Sequence, residues 1–236
     1  MNVAIVVAAG KGSRMGGSEP KQFLELCGVP IIIHTLRRFE QCEAITEVIL
    51  VLPADATAGF LSLAKKFQLG KVSKVVAGGA TRAQSVLSGL QAISEAEIVA
   101  VHDGVRPLVT PHEIDRVLQA AKMSGAAILV APVIDTIKEV SKEFIVGTPP
   151  RASLRRALTP QCFRWDVLKR AYENLSEFEA AGIKVTDDSL LVERLGIKVA
   201  VVEASARNIK ITGPEDLALA EKILKQQSGV RSQESE

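Results

Sequence analysis

The chain has 236 residues, 47% hydrophobic and 24% charged, with a formal net charge of +2. That length buries a full core and suits one α/β domain with an appendage. The near-neutral charge and 4% aromatic content exclude a clustered basic face for duplex nucleic acid and leave few stacking platforms for single strands.

Val3 to Ala8 opens the chain as a near-continuous apolar run, the pattern of a strand covered on both faces. With no basic flank and no cleavage site before the glycine-rich loop that follows, it predicts a buried strand and not a signal peptide. The loop is Ala8-Ala9-Gly10-Lys11-Gly12-Ser13-Arg14-Met15-Gly16, followed by Pro20-Lys21-Gln22. Glycines let backbone N–H groups turn toward phosphate oxygens, and Arg14 and Lys21 bring fixed positive charge to the same turn. The P-loop spacing is absent. The dinucleotide fingerprint fails because Met15 stands where glycine is required, Pro20 interrupts the helix, and no acid follows at the right distance. The loop is a phosphate binder of a third kind, or else a glycine-rich turn with solvated Lys and Arg.

Helical spacing then alternates with apolar runs. Ile31 to Phe39 predicts a helix, Glu47 to Leu52 a strand, Phe60 to Phe67 a helix and Lys74 to Ala77 a strand. Gly78-Gly79-Ala80-Thr81-Arg82-Ala83-Gln84-Ser85 opens the helix Ala83 to Ile93. It offers free N–H groups to a ligand, or reads simply as a helix start capped by Thr81. The strand Glu97 to His102 ends at His102-Asp103-Gly104-Val105-Arg106-Pro107. A buried aspartate at a strand end must be paired or bound, so Asp103 reads as a contact for Mg²⁺ or sugar hydroxyls, or as a turn partner of Arg106. His102 reads as a satisfied structural histidine; His34 and His112 sit in helical patterns. Thr110-Pro111-His112-Glu113 carries the marks of a capping box before the helix Ile114 to Met123.

Ala126 to Val133 predicts another strand. Residues 135–159 break the alternation: Lys138-Glu139-Val140 and Phe144-Ile145-Val146 flank Ser141-Lys142-Glu143, which predicts a projecting hairpin arm and a dimer contact. Thr186-Asp187-Asp188-Ser189 reads as a site motif or as an N-cap with acids at the helix start. Lys198 to Glu203 predicts a strand, and Asn208-Ile209-Lys210-Ile211-Thr212 reads as strand-like ahead of a last helix, Leu217 to Gln226. The polar residues 228–236 predict a disordered tail.

The order implies an α/β fold, a doubly wound, mostly parallel sheet with a projecting β-arm, forming one domain over 1–227. Cys27, Cys42 and Cys162 make no C-x-x-C and no zinc spacing; they fit a reducing compartment, the cytoplasm. No apolar run reaches the roughly 18 residues of a membrane span.

In sequence order these motifs resemble the cytidylyltransferase family of the non-mevalonate isoprenoid pathway, over Val3 to about Leu224. The marks are Ala8-Ala9-Gly10-x-Gly12-x-Arg14-Met15-Gly16, Pro20-Lys21-Gln22, Gly78-Gly79-x-x-Arg82-x-x-Ser85 and His102-Asp103-x-x-Arg106-Pro107, then Asp135-Thr136, Arg151, Leu158-Thr159-Pro160-Gln161, Thr186-Asp187-Asp188 and Asn208-Ile209-Lys210. Gly104-Val105 departs from the two small residues, commonly alanines, of the family pattern. The resemblance implies a Rossmann-like nucleotidyltransferase fold, CTP and 2-C-methyl-D-erythritol 4-phosphate as substrates, Mg²⁺ as cofactor, and a homodimer whose arm reaches the partner's site. It implies that Arg14, Lys21, Arg151 and Lys210 are catalytic, and that Ala8, Ala9, Gly10, Gly12, Gly79 and Ser85 bind the nucleotide. Asp103, Arg106, Thr136, Arg151, Thr186 and Lys210 would hold the acceptor, with Asp103 near the Mg-triphosphate. A relative acting on ribitol 5-phosphate, or a non-catalytic nucleotide-binding regulator, would share much of this pattern.

Overall fold

The computed structural model describes residues 1–10 and 20–233. Among the described residues seven strands form one sheet in the order β11 (Ala200–Glu203), β7 (Ala126–Pro132), β10 (Arg155–Arg164), β6 (Ile98–Asp103), β1 (Asn2–Val7), β4 (Glu47–Leu52), β5 (Val72–Ala77). The first five strands in chain order that enter it are β1, β4, β5, β6 and β7. β1 pairs parallel with β4 on one side and β6 on the other. The sheet therefore winds outward in both directions from β1, and a crevice opens beyond the carboxyl ends of β1 and β6. Two short strands, β2 (Glu25–Leu26) and β3 (Val29–Pro30), form a small separate pair.

Strand periodicity sorts the core into two layers. Ala4, Val6 and Ala8 pack with helices α1 (Ile31–Glu40), α2 (Phe60–Lys66) and α4 (Pro111–Ser124). Val3 and Ile5 point the other way, toward α3 (Arg82–Gln91), α5 (Trp165–Glu173) and α7 (Asp188–Arg194). Both faces are covered, which is why these strands are continuously apolar. Helix starts follow local chemistry. Thr110 accepts from the Glu113 N–H and Glu113 reaches back to the Thr110 N–H, while Thr81 and Asp187 cap α3 and α7.

The structure differs from the sequence reading at four places. Arg155–Arg164 is a strand, β10, inserted antiparallel between β6 and β7. Its exposed arginine start and internal Pro160 hide it, and the register shifts between Ala157 and Gln161, where proline supplies no ladder donor. The predicted arm of 135–159 thus gives up its last residues to the sheet. What remains is a hairpin of β8 (Glu139–Ser141) and β9 (Phe144–Gly147), which pair only with each other. Helices α5, α6 (Leu175–Ala180) and α7 fill a stretch that carries no predicted element. The run from Asn208 to Thr212, expected as a strand, is irregular and lies beyond β11 (Ala200–Glu203). Finally, the backbone of α8 (Pro214–Gln233) continues past 228, where a disordered tail was expected, since adding a turn to an existing helix costs far less than nucleating one.

Candidate active site

A cavity of about 450 Å³ occupies the crevice at the carboxyl ends of the strands. Its floor is Val7 to Gly10 from the end of β1; Lys21 and Gln22 stand on one side, Gly79 to Arg82 on another, and Asp103 and Lys210 at the back. A smaller cavity of about 200 Å³ shares Arg82, Asp103 and Lys210 and adds Arg106, Gln161 and Thr186. Two recognition pockets thus meet at one charged cluster.

Close backbone approach shapes the floor. A Cβ at Gly78 would lie 2.3 Å from the Ala9 Cβ, and one at Gly104 would lie 2.7 Å from the Ala8 Cβ. Alanine and glycine at these points let the loops after β1, β5 and β6 converge. The Gly78–Ser85 loop is internally wired. Ser85 Oγ accepts from the Gly79 N–H at 3.1 Å and donates to the Thr81 carbonyl at 2.9 Å, and Gln84 Oε1 accepts from the Ala80 N–H at 3.1 Å. Ser85 lines the cavity, but its hydroxyl is already engaged in fixing the loop.

The cluster centres on Asp103, which is 6% exposed. Its Oδ1 accepts from Arg82 Nε at 3.2 Å; its Oδ2 accepts from Arg106 Nε at 3.1 Å and faces Lys210 Nζ at 3.0 Å. Burial alone would raise this carboxyl's pKa; Arg82, Lys210 and Arg106 together outweigh it and hold the group well below the usual carboxylate range. The reading of Asp103 as a turn partner of Arg106 is therefore realised, with Arg82 and Lys210 joining the pair. The expected Mg²⁺ contact at Asp103 does not fit: the carboxylate already faces three cations, and no group of three His, Cys, Asp or Glu side chains among the described residues would hold a metal.

Arg82 bridges to a second buried acid. Its Nη2 donates to Asp188 Oδ2 at 2.8 Å, and Tyr172 Oη donates to Asp188 Oδ1 at 2.6 Å. Burial works against the Arg82 charge, but Asp188 and Asp103 more than compensate and raise its pKa. Burial and then Asp188 push the Tyr172 phenol up, so it stays a donor. Gln161 Oε1 accepts from the Asp188 and Ser189 N–H groups, and its Nε2 donates to Asp187 at 2.7 Å. Beneath Asp103, the carbonyl of Arg106 accepts from His102 Nε2 at 3.1 Å, so Nδ1 is left to accept the Thr159 hydroxyl proton at 3.0 Å. Thr159 Oγ1 in turn accepts the Asp103 N–H. His102 is thus the structural histidine expected, with burial pushing its pKa down to about 4.

The predicted site residues divide into three groups. Ala8, Ala9, Gly10, Lys21, Gly79, Ser85, Asp103 and Lys210 meet at the larger cavity, and Arg106 and Thr186 at the smaller one. Lys21 Nζ also donates to the Ile211 carbonyl at 3.3 Å. Arg151 and Thr136 lie elsewhere, exposed beside the hairpin, with Arg151 Nη1 donating to the Ile134 carbonyl at 2.7 Å. Gly12 and Arg14 lie outside the described residues. Arg82 and Gln161 carry no predicted role although their motifs are marked, Asp187 is the helix cap that one reading of its motif expects, and Tyr172 carries no sequence signal.

The crevice lies at the switch point of a doubly wound α/β sheet, floored by glycine and lined by Lys21, Arg82 and Lys210 with no cysteine among its described residues, and it suits a nucleotidyltransferase. The profile of the 2-C-methyl-D-erythritol 4-phosphate cytidylyltransferases matches residues 2–226. The chain belongs to that family, whose members are CTP-dependent cytidylyltransferases. It is 46% identical over 230 residues to the 2-C-methyl-D-erythritol 4-phosphate cytidylyltransferase of Syntrophus aciditrophicus (strain SB), covering 96% of this chain and 97% of that one. It is 47% identical over 225 residues to the Alkaliphilus metalliredigens (strain QYMF) protein of the same name, covering 94% and 92%. Among solved structures, the 4-diphosphocytidyl-2C-methyl-D-erythritol synthase of Anaerococcus prevotii superposes with a TM-score of 0.82 at 32% identity, covering 95% of this chain and 96% of that one. The Thermus thermophilus cytidylyltransferase gives 0.75 at 35% identity, covering 94% and 98%.

Proposed function

We propose that this chain transfers CMP from CTP to 2-C-methyl-D-erythritol 4-phosphate, releasing pyrophosphate, in isoprenoid precursor biosynthesis. The observation that carries the reading is the pair of cavities meeting at Arg82, Asp103 and Lys210: a larger one for a nucleoside triphosphate and a smaller one for a polyol phosphate. An oxygen of the acceptor phosphate attacks the α-phosphorus of CTP, the bond from that phosphorus to the β-bridging oxygen breaks, and pyrophosphate takes the electron pair. A phosphate monoester is largely ionised near neutral pH, so the step needs no general base. The difficulty is bringing two polyanions together, and preorganised cations answer it.

In this reading the backbone of Ala8 to Gly10 and Gly79, with Gly12 and Ser85, receives the nucleotide. Lys21 and Arg14 face the charge that grows on the leaving pyrophosphate. Asp103 fixes Lys210 and Arg106 toward the acceptor and Arg82 between the two cavities, and Thr186 completes the acceptor pocket. Mg²⁺ enters with the triphosphate as part of the substrate. The hairpin supports a homodimer: Ile134, Val140, Phe144, Ile145 and Val146 are all at least 61% exposed, more apolar surface than an isolated two-stranded hairpin keeps in water. Thr136 and Arg151, which line neither cavity of their own subunit, would then serve the partner's acceptor pocket. No helix among the described residues is long and apolar enough to cross a membrane, and the free cysteines, one of them exposed, suit the cytoplasm.

Two experiments test this. Lys21→Ala should lower kcat by about 10²-fold or more, the scale for losing one preorganised donor; near-normal kcat would remove Lys21 from the mechanism. With ¹⁸O placed in the acceptor phosphate, the product diphosphate should carry the label in its bridge while pyrophosphate leaves unlabelled. Label in the pyrophosphate would mean that a different bond is made.

A further inference from the structure

A third cavity, of about 450 Å³, lies between α1 and α8 and shares no lining residue with the two described above. His34, Arg37, Arg38 and Lys225 line it, and no carboxylate among the described residues does. Three of these side chains are half-buried and held in place. The Arg37 guanidinium lies over the Phe67 ring, 5.5 Å from its centroid. Arg38 Nε donates to the Pro107 carbonyl at 3.1 Å. His34 Nε2 donates to the Leu26 carbonyl at 2.7 Å, which leaves Nδ1 to take up a second proton. Burial, joined by the like charges of Arg37 and Arg38, holds the His34 pKa below its ordinary value despite that bond. Lys225 approaches from α8, and its carboxylate neighbour is the partly exposed Glu221 at 3.6 Å.

Basic residues in the last turn of a helix complement its dipole, and that accounts for Arg37 and Arg38 on α1 alone. It does not account for Lys225 arriving from another helix, or for a cavity as large as the catalytic one between them. The Arg37 guanidinium fork, the Lys225 ammonium and the His34 imidazole around one space match the oxygens of a phosphate group.

We propose that this cavity binds a small phosphorylated metabolite, with a diphosphate group as the best match to its charge. Occupancy would set an anion beside His34 and favour its imidazolium form.

His34 is its own reporter. The full-length protein, labelled with ¹³C at histidine, is titrated by NMR from about pH 5 to pH 8, the range in which imidazole changes charge, with and without millimolar inorganic pyrophosphate. Pyrophosphate can also enter the catalytic cavity, but His34 does not line it. The expected result is an upward shift of the His34 midpoint of about one unit, the scale for a nearby opposite charge. The exposed His112 of α4 should not move. The double variant Arg37→Gln/Lys225→Gln should lose the shift and keep wild-type turnover. An unmoved His34 midpoint in the wild type, or the same shift in the double variant, would overturn the proposal.

Discussion

Single residues set the site through what they hold. Asp188 is fully buried, with one oxygen on Tyr172 and the other on Arg82. Tyr172 lines neither catalytic cavity, so its effect passes through Arg82. Tyr172→Phe strips one donor from a buried carboxylate, a loss of about 1–3 kcal/mol, and lets Arg82 shift. The expected outcome is a several-fold rise in the CTP KM alongside lower thermal stability. Lower stability with unchanged kinetics would make Tyr172 purely structural. Gly104 is equally specific. Alanine here would place a Cβ 2.7 Å from the Ala8 Cβ and 2.9 Å from Ile32 Cδ1. Gly104→Ala should therefore destabilise the fold by about 1–3 kcal/mol through overpacking, as denaturant midpoints would show; wild-type stability would mean the β1 loop yields freely. His102 supplies a pH dependence. Its folded pKa is about 4 against roughly 6.5 in an unfolded chain. Stability is then complete above about pH 6.5 and falls as the pH drops toward 4, by about 3 kcal/mol in all. Denaturation midpoints that stay flat over that window would contradict the assignment.

Elements differ in how far their sequence announces them. β1, β4, β6 and β7 are buried on both faces, so uninterrupted apolar runs mark them. α4 carries a complete capping box. β10 is invisible by the same criteria because its first three residues are exposed and Pro160 lies within it. The loop positions of the site are legible because glycine and charge are dense there. The Asp103 cluster is only half legible. Arg106 is three residues away in sequence, but Arg82 and Lys210 arrive from elements 21 and over a hundred residues distant, and pairing across that separation leaves no local pattern. The cationic space between α1 and α8 is hidden for the same reason, since His34 and Arg37 read as ordinary helix residues.

At the scale of the whole molecule, Arg151 lines neither cavity of its own subunit, and the proposed homodimer would bring it to the partner's. That makes a prediction no monomeric enzyme would satisfy. Lys21→Ala and Arg151→Ala are each expected to be nearly inactive, yet subunits of the two exchanged by unfolding and refolding should recover about a quarter of wild-type activity, because half of the random dimers carry one intact site. No recovery would place Arg151 outside the partner's pocket. The reaction itself rests on the two cavities that meet at Arg82, Asp103 and Lys210. Its most direct test is pyrophosphate release with Mg²⁺, comparing CTP with UTP, ATP and GTP, and 2-C-methyl-D-erythritol 4-phosphate with ribitol 5-phosphate. Fast release is expected for CTP with the methylerythritol phosphate alone. Release with ribitol 5-phosphate in its place, or nucleotide binding without release for any pair, would contradict the proposed reaction.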